Sequence, residues 1–361
     1  MTDRRLRVLL WHVHGSWTDA FVRGRHEYLM PVLPEGGPWG GGRAGWDWPG
    51  VVEVPADELA DLDVDVVVLQ RPDELALAER WLRRRPGLDV PAVYVEHNTP
   101  KGGVPDTRHP VADRDDICLV HVTHFNELMW DSGRAPTVVV EHGVADPGER
   151  YTGELERAAV VINEPVRRWR VTGTDLLPRF AAAGPVDVFG IGAEKLPGRL
   201  AELGAVGPLG ALDGQVRAVG NLRPRELHDQ LARRRVYVHP VRWTSLGLSL
   251  IEAMHLGMPV VALATTEVVE AVPPGAGVIS TRVDGLVDAV RDLLADPAAA
   301  AALGHAARRA ALDRYGLAPF LADWDRLLTI TAAQTARPAR SAPVPVPAPA
   351  PASVPTGGSG S

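Results

Sequence analysis

Short runs of apolar, largely β-branched residues recur along the chain, each followed by a stretch of helical spacing. In the first part they read RVLLWHV near the start, DVVVLQ from Asp65, AVYVEH (92–97), ICLVHV (117–122) and TVVVEHG (137–143). Between them, DAFVRGRHEYLMPVL (19–33) and DELALAERWLRRR (73–85) carry helical patterns. Continuous apolar runs alternating with helices predict parallel strands covered on both faces. The same grammar restarts near residue 157 with RAAVVINEP, then PVDVFGIG, VRAVG, RVYVHP and MPVVAL, interleaved with helices such as SLIEAMHLG and LVDAVRDLLA. Two such blocks predict an α/β protein of two doubly wound, Rossmann-like domains facing each other across a cleft. The expected division is 1–149 and 150–330, with the boundary near Pro147 to Thr152.

Two segments break the pattern. Residues 34–50 combine many glycines with Trp39, Trp46 and Trp48, which predicts a mobile loop whose large flat side chains either face a substrate or pack back onto their own domain. From about Thr331 the chain becomes Pro/Ala-rich, so 331–361 reads as a disordered tail without a catalytic part.

Composition narrows the function. The chain has 361 residues, 45% apolar and 23% charged, which excludes collagen-like, coiled-coil and largely disordered classes. Its formal net charge is −7 and no basic block is present, which argues against a sequence-independent grip on nucleic acid. Of the 38 basic residues only Lys101 and Lys195 are lysines, so a bound anion must be held mostly by guanidinium. The single Cys118 forms no internal disulfide, and with no signal-peptide core or apolar run of spanning length the expected location is the cytoplasm. Peripheral contact with a membrane surface stays open.

The segment most informative about chemistry is VYVHPVRWTSLGLSLIEAMHLGMPVVALATTEVVEA (236–271). It reads as a strand ending at His239-Pro240, a loop, and a helix opening at Gly247-Leu248 with Glu252 one turn inside. Free amides at a helix start form an anion site, and a carboxylate at Glu252 can accept two hydroxyls, as a ribose presents them. Gly257-Met258-Pro259 then ends the helix and starts another buried strand. In the first domain, Gly15 follows the opening strand, where a doubly wound fold lets a ligand approach the backbone.

The stretch T-S-L-G-L-S-L-I-E-A-M-H-L-G-M-P-V-V-A resembles the donor-binding motif of retaining GT-B glycosyltransferases, specifically glycosyltransferase family 4. VRAVGNLRPREL (216–227), DRYGLAPFLADWDRLL (313–328) and VVVEHGV (138–144) are similar to further family segments: the loop that cups the base, the closing helix that crosses back to the first domain, and the end of that domain. The resemblance implies a GT-B fold and transfer of a hexosyl-type group from a nucleotide-sugar to an acceptor hydroxyl with retention. It implies no metal and no cofactor beyond the nucleotide-sugar co-substrate; the acceptor is a small molecule, a glycan or a lipid-linked group. On this reading Glu252 binds the ribose, and Ser245, Gly247 and Leu248 meet the distal phosphate. Gly220, Asn221 and Leu222 cup the base. The family's diphosphate-binding arginine and lysine fall within VINEPVRRWRVTGTDLL, with Thr172 at the lysine's place, Arg167 or Arg168 near the arginine's, and Arg170 close enough to compensate. Thr244 stands where the family carries a glutamate near the donor sugar, and His97 at a strand end that commonly reaches the reaction centre; equally, His97 fits a buried structural histidine. His12, His14, His121, His124 and His142 also gather at strand ends, without the spacing of a zinc site. Two other readings fit the same motifs: a nucleotide-sugar-binding protein whose catalysis was lost with the glutamate, and a GT-B sugar-nucleotide epimerase.

Overall fold

The computed structural model describes residues 4–204 and 215–334. The first half is a seven-stranded sheet of β1 (Arg7–Leu10), β2 (Glu27–Val32), β3 (Val51–Pro55), β4 (Val66–Leu69), β5 (Ala92–Glu96), β6 (Cys118–His121) and β7 (Thr137–Val139), in the order β3-β2-β1-β4-β5-β6-β7. The second is a six-stranded sheet of β8 (Leu155–Val161), β9 (Val186–Phe189), β10 (Val216–Gly220), β11 (Arg234–His239), β12 (Val260–Leu263) and β13 (Val278–Ser280), in the order β10-β9-β8-β11-β12-β13. Every pairing within both sheets is parallel. In the central strands β4 and β12 all residues are buried, as an apolar run covered by helices on both faces requires. Each sheet switches direction beside its first strand, and the loops leaving the carboxyl ends of the strands there are the expected ligand-binding edge.

The segment 19–33 departs from the helical expectation. Its helix, Gly15–Phe21, stops before Gly24, and Glu27–Val32 enters the sheet as β2 between β1 and β3. Phe21, Tyr28, Leu29 and Met30 mimic a helical stripe in sequence. Yet Tyr28, Leu29 and Met30 are consecutive and all buried, which one face of a helix cannot achieve but a central strand can.

The chain crosses between the halves twice. After the helix Pro297–Arg314 it breaks at Tyr315-Gly316 and continues as Leu317–Ala333, which buries Phe320, Trp324 and Leu328 in the core of the first half. Val144 donates its amide to the Tyr315 carbonyl at 3.0 Å, so outgoing and returning segments lie side by side. This helix runs through Ala333, past the residue where a tail was expected to begin; residues 335–361 lie outside the described residues. No helix among the described residues is long and apolar enough to cross a membrane.

Candidate active site

The carboxyl ends of the two sheets face each other across a cleft of about 1050 Å³. On the second half, β11 ends at His239, the chain loops through Thr244, and the helix Leu248–His255 opens on Gly247. The first amides of that helix have no carbonyl one turn back to bond. Gly247 must be glycine here: a Cβ would sit 2.6 Å from Cε1 of His239. The His239 ring is buried beneath it, with no partner on either nitrogen among the described residues, and burial lowers its pKa to about 4. One turn into the helix, the almost fully buried Glu252 lies 3.5 Å from Nε2 of His228 and lines the cleft beside Asn221 and Leu222.

Arg168 lines the same cleft, half-buried, and no side-chain partner for its guanidinium occurs among the described residues. Burial, and then Arg167, depress its pKa, so its charge is held without a counter-ion. Thr172 also borders the cleft, but its hydroxyl lies 2.8 Å from that of Thr174, so it braces the loop.

Other expected donor contacts are placed elsewhere. Arg170 is exposed, does not line the cleft, and pairs with Asp175 at 3.1 Å, which Arg242 also holds at 2.5 Å. Its guanidinium is therefore committed to pinning the loop. Ser245 is buried at the domain junction, its Oγ 3.2 Å from that of Thr123 across the halves. Gly220 ends β10 at φ +101° with its carbonyl accepting from the Gly190 amide, so its contribution is the turn that delivers Asn221 and Leu222.

On the first half, Gly15 opens the helix after β1 and borders the cleft together with His14, His97 and His142. His97 packs against His14 at 4.3 Å and Trp17 at 4.9 Å between ring centroids, with Nε2 3.0 Å from Oε1 of Gln70. Burial is the main reason all three imidazoles stay neutral: the pKa of His14 falls to about 4, that of His142 to about 3, and that of His97 well below its usual value. Among the described residues no group of three or more histidines, cysteines or carboxylates is placed to hold a metal ion.

The glycine-rich segment 34–50 divides its tryptophans. Trp48 is buried in the core, as packing back onto the domain requires, Trp39 lies under Arg71 at 4.0 Å, and Trp46 borders the cleft. It contains a helical turn at Gly37–Gly40 rather than structureless chain. Sequence reasoning did not single out Asn163 or Arg223, which also line the cleft. Only their positions in the loops that follow β8 and β10 signal them.

Residues 211–310 match the family model described as glycosyl transferases group 1. No curated protein matches the chain by sequence. Among solved structures, Anabaena HepE in complex with UDP is 14% identical at a TM-score of 0.65, over 90% of this chain and all of that one. Sucrose-phosphate synthase of Thermosynechococcus elongatus is 17% identical at 0.62, over 91% and 100%. TarM of S. aureus, in a complex with UDP among other ligands, is 15% identical at 0.61 over 76% of this chain; the chain spans 57–58% of the length of the TarM chains it matches. The fold is GT-B, and the 211–310 match within that fold supports a glycosyltransferase.

Proposed function

We propose that the chain transfers a hexosyl group from a nucleotide-sugar, with UDP as the nucleotide, to an acceptor hydroxyl with retention and without a metal ion, in the manner of glycosyltransferase family 4. One observation carries the reading: the Arg168 guanidinium, which has no side-chain partner among the described residues, the opening amides at Gly247-Leu248 and the Glu252 carboxylate border one cleft, a donor set suited to a diphosphate and a ribose diol. The relatives solved with UDP and with UDP-glucose support the choice of nucleotide. In this reading Asn221 and Leu222 hold the base, and Arg168 with the helix amides stabilises the diphosphate more as it leaves than while it is bound. The acceptor hydroxyl attacks on the face the diphosphate leaves, and the departing phosphate oxygen takes its proton. The neutral histidines His97, His14 and His142 then position hydroxyls without supplying charge.

Calorimetric titration with UDP tests the reading. The wild-type chain binds, and Glu252→Ala weakens binding by about tenfold or more while the fold stays intact, because hydrogen bonds to a charged group contribute about 1.5–3 kcal/mol. Unchanged UDP affinity in that variant would refute the assignment. Thr244, half-buried at the cleft where family members carry a glutamate, favours a second reading as a binding protein without turnover. Transfer by Thr244→Glu alone, with none by the wild type, would establish it.

A further inference from the structure

The first-half wall of the cleft is built unlike the donor wall opposite. Trp46 borders the cleft beside Gly15, where a Cβ would stand 3.1 Å from Cζ2 of the indole, so the bare backbone lets the ring pack close. Behind it Trp48 stacks at 5.1 Å with an interplanar angle of 22°. Trp48 is in turn fixed by burial and by an Nε1 hydrogen bond to Asp19 at 3.0 Å. His12 meets both rings edge-on, at 6.1 and 4.9 Å. A loop ring clamped from behind is a rigid platform at little entropic cost, since its rotamer is already fixed.

Polar groups suited to hydroxyls line the same cleft: Asp47, Ser16 and Asn98, and the neutral imidazoles of His14, His97 and His142. Among the described residues the one full charge lining this wall is Asp47, which is exposed and has no ion-pair partner there. Both guanidiniums of the cleft, Arg168 and Arg223, stand on the donor wall. An acceptor carrying phosphate or carboxylate would thus meet a carboxylate and uncharged rings, an arrangement that repels it. A purely apolar acceptor would strip water from Asp47, Asn98 and the imidazoles without replacing their hydrogen bonds. A pyranose satisfies both halves of the wall, since its C–H face covers an indole while its hydroxyls reach a carboxylate and imidazoles.

We infer that this wall is the acceptor site for a neutral saccharide, stacked on Trp46 with its hydroxyls held by Asp47 and the histidines. The inference deepens the proposed glycosyl transfer and rests on it for the word acceptor; the saccharide site itself stands on the wall alone.

The test uses the full chain with methyl α-D-glucopyranoside, maltose and methyl β-D-galactopyranoside, alongside glucose 6-phosphate and phosphatidylglycerol vesicles. Binding is followed by saturation-transfer NMR with and without saturating UDP. At least one neutral glycoside binds in preference to the phosphorylated sugar and the vesicles. Trp46→Ala weakens it about tenfold or more, Trp46→Phe restores it to within about threefold, and both keep the wild-type UDP affinity. Asp47→Lys, at an exposed position that folding does not require, turns the preference toward glucose 6-phosphate. Neutral glycosides that fail to bind while UDP binds overturn the inference and leave the donor reading standing. Preferential binding of glucose 6-phosphate or vesicles by the wild type, or glycoside affinity indifferent to both Trp46→Ala and Asp47→Lys, also overturns it. Trp46-dependent glycoside binding in a chain that does not bind UDP upholds the saccharide site and removes the donor reading.

Discussion

Gln70 fixes the tautomer of His97. The Gln70 side-chain amide donates from Nε2 to the Trp11 carbonyl at 2.7 Å, so its Oε1 is the atom that faces His97 Nε2, 3.0 Å away, and can only accept. His97 therefore carries its proton on Nε2 and keeps a lone pair on Nδ1. Because burial holds the ring neutral, this tautomer persists across the physiological range. In Gln70→Leu the acceptor is lost, and long-range ¹H–¹⁵N spectra should show His97 leaving the pure Nε2–H form. In Gln70→Glu a carboxylate replaces the amide and the His97 pKa should rise. A His97 spectrum identical in all three chains would contradict the arrangement.

Two arginines two positions apart should behave differently. Arg168 borders the cleft with no side-chain partner among the described residues, whereas Arg170 is spent on Asp175. Arg168→Ala should cost UDP binding about 1.5–3 kcal/mol, roughly ten- to 150-fold, and leave the affinity for uridine nearly unchanged, since only the diphosphate loses its partner. Arg170→Ala should alter UDP affinity less than about threefold, because its ion pair is exposed and Arg242 still holds Asp175. Equal losses in the two variants, read by calorimetry, would place both guanidiniums on the ligand.

The difference between these arginines marks where sequence stopped being informative. The repeated β-branched runs specify two parallel sheets because a strand buried on both faces has few other solutions, and β4 and β12 follow that rule throughout. The helix start at Gly247 and the place of Glu252 one turn inside it were legible because that geometry is local. Arg168 and Arg170 lie on one turn of a loop, and the choice between cleft and solvent was made by Asp175 and Arg242, the latter over 70 positions away. Likewise the approach of Ser245 to Thr123 on the other half could not be read from the sequence. His14 and His142 carried a signal as strand-end residues, but only the order of the first sheet brings β1, β5 and β7 ends to one wall. Residues 19–33 misled because spacing alone does not separate a helix followed by a strand from one longer helix.

Arg314 joins the halves and should govern how firmly the cleft is held. Its guanidinium binds Glu141, at the end of the first half, at 2.5 Å and Glu267 of the second at 3.2 Å. Glu267 in turn accepts the Phe125 amide at 2.8 Å, so one buried carboxylate is reached from both sides. Arg314→Ala leaves Glu267, which burial already pushes toward its neutral form, without its cation. Stability should fall by about 1–3 kcal/mol in denaturant titration, and small-angle scattering should report a larger radius of gyration as the halves separate. An unchanged midpoint together with an unchanged radius would show that the junction is held elsewhere.

The neutral histidines should also make the chain acid-sensitive. His14 and His239 have pKa values near 4 and His142 near 3, each lowered chiefly by burial from an ordinary 6.5. Below about pH 6.5 the unfolded chain protonates these imidazoles and the folded chain does not. The unfolded state then binds more protons, so stability is complete above pH 6.5 and declines as the pH falls toward 4. Thermal unfolding followed from pH 7.5 to 5 should show a falling midpoint, with a shallower decline in His142→Asn, where one of these buried rings no longer resists protonation. A midpoint constant or rising across that interval would mean that the rings titrate alike in both states, and that water reaches them in the folded cleft.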